Sequence, residues 1–108
     1  MLANDFQLQC FRTWNRSQNE RDAMFNAALG LTGEAGEVAD LLKKILCHGH
    51  DMNRTKLAKE IGDVCYYAAI LAHYAGFELS DVLQMNVDKL KARYPDGFSS
   101  EASKNRKE

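Results

Sequence analysis

Four carboxylates stand out by their spacing. Glu34 and Glu37 are three residues apart, and so are Glu60 and Asp63, with 22 residues between the two pairs. On a helix, residues three apart share a face. The apolar arc around the first pair is Leu31, Ala35, Val38, Leu41, Leu42 and Ile45. Glu34 falls within it and Glu37 lies at its edge, while Asp40 and Lys43 point away. The arc around the second pair is Leu57, Ile61, Val64, Ala68, Leu71 and Ala75. Glu60 borders that arc and Asp63 sits one turn along. One Glu-x-x-Glu pair is ordinarily solvated. Two pairs in apolar register on facing helices would repel each other and lose hydration, costing several kcal/mol per charge by rough estimate. A divalent cation offsets that cost, because hard cations prefer carboxylate oxygen. The Glu-x-x-His motif of di-iron bundles is missing, so the donor set is all oxygen. That selects Mg²⁺, with Mn²⁺ as a substitute. Mg²⁺ held by a few carboxylates keeps positions for water and phosphate oxygens, which points to a phosphate-bearing substrate.

A second constellation follows. Asn86, Lys89 and Arg93 form one helical stripe, while Val82, Leu83, Val87 and Leu90 supply a packing side. One amide and two cations in a line suit phosphate oxygens. Trp14, Tyr67 and Tyr74 are candidates for stacking on a base. Tyr67 is the best placed, one turn beyond Asp63. Aromatic residues on helices are more often core. Cys47, His48 and His50 hold too few ligands at regular spacing for structural zinc. The better functional reading of that segment is a loop near the substrate, and an ordinary polar loop is the simplest. Gly30, Gly33 and Gly36 do not have P-loop spacing, and no strand precedes them. On a helix they signal close approach of backbones, at a cost of up to about 1 kcal/mol each.

The elements that position these groups are helices. The chain has 108 residues, enough for one domain. Leu, Ala, Lys, Glu and Met outweigh Val and Ile, and the only proline is Pro95. Four helices are expected: residues 5–17, 20–47, 54–75 and 80–94, with Ser80 as the cap of the last. Short connections between them suit an antiparallel four-helix bundle. Residues 1–98 form the domain and residues 99–108 a polar tail. The third helix is apolar nearly all round from Val64 to Ala75, which predicts burial against a partner chain. A net charge of −1 gives no basic nucleic-acid face. No apolar stretch approaches the roughly 20 residues of a membrane span, and the N-terminus lacks a signal-peptide layout. Three widely spaced cysteines read as reduced thiols. These features predict a cytoplasmic protein without membrane or nucleic-acid partners.

The acid quartet and its surroundings resemble the MazG-like, all-α nucleoside triphosphate pyrophosphohydrolases, the superfamily that includes the dimeric dUTPases. The resemblance rests on three segments. They are Gly30-Leu31-Thr32-Gly33-Glu34-Ala35-Gly36-Glu37-Val38-Ala39-Asp40, Glu60-Ile61-Gly62-Asp63-Val64, and Lys89-Leu90-Lys91-Ala92-Arg93-Tyr94-Pro95-Asp96-Gly97-Phe98. It implies a MazG fold assembled as a dimer or dimer of dimers, with two chains shaping each site. It also implies hydrolysis of (deoxy)nucleoside triphosphates between the α- and β-phosphates, as nucleotide-pool house-cleaning. In that reading Glu34, Glu37, Glu60 and Asp63 bind Mg²⁺ and carry catalysis. Lys89 and Arg93 contact the triphosphate, with Asn86 near the site. There is one departure: some members carry a Glu just before the first acid pair, suspected of activating the water, where this chain has Gly33. The base is then one of the four acids, or water acidified by the cation suffices. The rival class is a non-catalytic helical protein that binds nucleotide, metal or a partner. The quartet argues for the enzyme, because a scaffold would gain from apolar residues at Glu34 and Glu60.

Overall fold

A computed structural model describes residues 1–106. The described chain is all-α, with helices α1 (Ala3–Cys10), α2 (Glu20–His48), α3 (Arg54–Tyr74), α4 (Leu79–Arg93) and α5 (Ser100–Lys104). The long helices α2 and α3 make the principal pairing. α1 packs against α3, and α4 packs chiefly against α1 and α3. The turn between α2 and α3 is defined at both ends. Gly49 takes a left-handed φ of 72° and its N–H returns to the Lys44 carbonyl, while the Asn53 side chain accepts from the Lys56 N–H.

The helix expected over residues 5–17 stops at Cys10. The next amides bond three residues back, Phe11 to Leu8 at 3.2 Å and Arg12 to Gln9 at 3.1 Å, which tightens the chain out of the α-helix. Burial drives the change. Trp14 turns into the core at 8% exposure and donates from Nε1 to the Tyr74 hydroxyl at 3.0 Å. Asn15 then closes an Asx turn onto Ser17.

The fourth helix starts at Leu79 rather than after Ser80. Its first amides are satisfied by the first helix. Gln7 Oε1 accepts from Leu79 N at 2.9 Å, and Asn4 Oδ1 accepts from Ser80 N at 2.9 Å. The buried Gln7 also donates to the carbonyls of Ala69 and Phe77. One amide side chain thus ties α1, the end of α3 and the start of α4 together. The segment expected to be a polar tail forms α5, where Ser99 Oγ accepts from Ala102 N at 3.0 Å. The last two tail positions, Lys107 and Glu108, lie outside the described residues.

The core is small: Cys10, Trp14, Ala23, Ala27, Ala69 and Ile70 are buried together, with Phe6, Phe11, Tyr66, Tyr67, Leu71, Tyr74 and Leu79 packed around them. The apolar stretch of α3 is largely used within the chain, because α1 covers one side and α2 another. Ala69, Ile70 and Ala72 are buried there. Unpartnered apolar surface lies elsewhere, on Phe25 and Leu29 of α2 and on Leu83, Met85, Val87 and Leu90 of α4.

Candidate active site

The antiparallel pairing of α2 with α3 brings Glu34 opposite Glu60 and Asp63. One carboxylate oxygen from each lies within 4.8 Å of the other two. Glu34 and Glu60 are half-buried and Asp63 is exposed. Partial burial, then the charges of Asp63, Glu60 and Glu37, push the Glu34 carboxyl above its ordinary range. Three anionic oxygen donors held this close on two rigid helices fit a hard divalent cation, which would relieve the repulsion that raises Glu34.

Glu37 stands outside the three-way cluster, one turn nearer the α2–α3 turn. It is exposed, and with Glu60 it lines an adjoining cavity of about 120 Å³ whose other walls are Asp40, Leu41, Lys44, His50 and Lys56. Asp40, expected to point away, instead lines this cavity, paired with Lys44 at 3.0 Å, which holds the Asp40 carboxyl below its ordinary value. The bases at this cavity escaped the sequence reading, apart from the placement of the His48–His50 loop near a substrate. The available signal was Lys56, four residues before Glu60 and on its face. Among the described residues Cys47, His48 and His50 join no metal-capable group.

The stripe on α4 is not part of this cavity. Asn86 and Lys89 lie on an exposed helix face. Arg93 is half-buried at a pocket formed with Pro95, Ser99, Glu101, Ala102 and Asn105. Helix α4 packs on α1 and α3, and the cavity at Arg93 is separate from the one at Glu37 and Glu60.

Tyr67 sits beyond the cluster at the opposite end from the turn. Its ring is half-buried over Gly30, edge-on to Trp14 at 6.4 Å and to Tyr66 at 5.0 Å. A Cβ on Gly30 would run into the Tyr67 ring, so a larger residue there forces that ring to move. The close approach expected at Gly33 and Gly36 does not occur within the chain, where a Cβ would meet open space.

The fold and these side chains define a class: an all-α protein with a carboxylate cluster across a helix pair that could hold a metal ion. The chain matches the family model of the MazG nucleotide pyrophosphohydrolase domain over residues 25–98, which spans both acid pairs and α4, and it belongs to that family. It is also similar to the Gene 37 protein of Mycobacterium phage L5, with 42% identity over 82 residues, 72% of each chain. No solved structure matches it.

Proposed function

We propose that this protein hydrolyses nucleoside triphosphates, ribo or deoxy, at the α–β phosphoanhydride. The observation that carries the reading is the approach of Glu34, Glu60 and Asp63 to within 4.8 Å across α2 and α3. Mg²⁺, or Mn²⁺ in its place, would be held by these three with Glu37 beside them. A bound cation supplies charge neutralisation at the phosphates and orients them. The oxygen of a water molecule bonds to the α-phosphorus. The bond from that phosphorus to the α–β bridging oxygen breaks, and pyrophosphate leaves with the electron pair, giving the nucleoside monophosphate. With no side chain at Gly33, the proton of the attacking water passes to a carboxylate of the quartet.

Lys89 and Arg93, with Asn86, contact the triphosphate, and Tyr67 shapes the base end of the site. Because Arg93 and the carboxylates line separate cavities of one chain, these contacts come from a second copy of the chain in a homodimer or homotetramer. The single chain supports this. Its accessible surface is 8008 Å², against roughly 6,000 Å² for a compact protein of this mass. The excess of about 2,000 Å² is what one partner commonly contributes to an obligate interface. The role is nucleotide-pool house-cleaning in the cytoplasm, with no nucleic-acid or membrane partner. The test is pyrophosphate release from the common NTPs and dNTPs with and without Mg²⁺. Release from at least one triphosphate, lost on chelation, is the expected result. No release from any of them with Mg²⁺ or Mn²⁺ overturns the reading.

A further inference from the structure

We infer that Lys56, flanked by His50 and Lys44, receives the terminal phosphate of the substrate and thereby fixes its direction along the helix pair; this rests on the pyrophosphohydrolase reading above. The two antiparallel helices carry the same order of chemistry. Along α3 run Lys56, Glu60, Asp63 and Tyr67, at i, i+4, i+7 and i+11, one stripe of the helix. Along α2, in reverse, run Lys44, Asp40, Glu37, Glu34 and Gly30. Cations therefore stand at the α2–α3 turn, carboxylates in the middle, and the Gly30–Tyr67 contact at the far end. Lys56 is about 6 Å of helix rise from Glu60 and about 10 Å from Asp63.

The cavity at the cationic end adjoins the cluster through Glu60. At about 120 Å³ it falls well below the 300–1,000 Å³ of sites that enclose whole small molecules. That volume suits a phosphate-sized group better than a nucleoside. Its cations are unequal. Lys44 is already neutralised by Asp40. The Lys56 ammonium and the His50 ring make no ion pair or side-chain hydrogen bond among the described residues, although Glu37 and Glu60 share their cavity. Lys56 is thus not spent on the carboxylates. Its position also opposes local stability. It lies in the first turn of α3, which holds no acid, where a cation meets the positive end of the helix dipole. An anion seated in the cavity would offset that effect. A polyphosphate tail directed to the turn leaves the nucleoside toward Tyr67, and leaves the scissile bond at the carboxylates.

The experiment compares the unaltered protein with Lys56→Ala and Lys56→Arg. It measures kcat/KM for a dNTP and the matching dNDP, and calorimetric affinity for inorganic pyrophosphate with Mg²⁺. Lys56→Ala should lower the triphosphate-to-diphosphate ratio of kcat/KM at least about tenfold, the lower range for a lost electrostatic contact. It should weaken pyrophosphate binding similarly, with Lys56→Arg restoring much of both. Helical content should be unchanged, since Lys56 is exposed and alanine suits a helix. An unaltered ratio together with unaltered pyrophosphate affinity would mean a solvated lysine and would overturn the inference. The two readings fail separately. A protein that releases no pyrophosphate from any triphosphate sinks the function, while pyrophosphate affinity still decides the role of Lys56.

Discussion

At the residue scale the decisive groups are acids whose charges oppose one another. Glu34 is raised by partial burial and by Asp63, Glu60 and Glu37. A raised folded-state pKa means that its contribution is fully present below the unfolded pKa and is lost as pH rises through the folded one. Metal-free protein should therefore gain thermal stability as pH falls through the upper carboxylate range. Glu34→Gln should remove most of that dependence, and added Mg²⁺ should stabilise the unaltered protein at neutral pH by mass action. Thermal melts across pH, with and without Mg²⁺, check all three. For catalysis, Glu37→Gln or Asp63→Asn should abolish turnover while circular dichroism stays helical. Near-normal activity in either variant contradicts the metal-site assignment.

The element scale is where small residues and one buried amide act. Gly30 and Gly36 lie on the same helix and predict opposite outcomes. Gly30→Ala forces the added methyl into the Tyr67 ring and should cost about 1–3 kcal/mol, the usual penalty of overpacking. Gly36→Ala meets nothing within 4 Å and should stabilise the isolated chain by about 0.5–1 kcal/mol. Urea denaturation of the two variants reads the contrast directly. Gln7 joins three helices through three hydrogen bonds: its amide nitrogen donates to the carbonyls of Ala69 and Phe77, and its oxygen accepts from Leu79 N–H. Gln7→Leu removes the acceptor of the part-buried Leu79 N–H at the start of α4, at about 1–3 kcal/mol. The same melts should show a large loss for it, with hydrogen exchange quickening first at Leu79 and Ser80.

For the whole molecule, the dimensions are those of an extended arrangement of helices. The radius of gyration is 16.8 Å, where about 13 Å is expected for a compact domain of this length. α4 has no buried residue, and Leu83, Met85, Val87 and Leu90 remain exposed. Sedimentation should give a dimer or tetramer at micromolar concentration, and Met85→Glu should shift it toward monomer and reduce activity with it. A stable, active monomer would contradict both the assembly and the placing of Lys89 and Arg93 at a neighbour's site.

Much of this was legible in the chain itself. Helix periodicity, with Gly49 as a stop, locates α2 and α3 to within a residue or so, although their N-caps, Asn19 and Asn53, were not singled out. The acid pairs mark the cluster, because carboxylates in apolar register have few physical explanations. Local rules reach that far since helix faces and caps depend on neighbours in sequence. The end of α1 was not legible, because burying Trp14 against Tyr74 outweighs helix propensity across residues 11–17. Nor was the start of α4, whose first amides are satisfied by Gln7 and Asn4, more than 70 positions earlier. The carboxylates also divide in space as the sequence does not foretell: three converge, while Glu37 faces a cavity with Lys56 and His50. How far apart equal spacings end up depends on the register of α2 against α3. Only side-chain packing, such as Tyr67 over Gly30, decides that register.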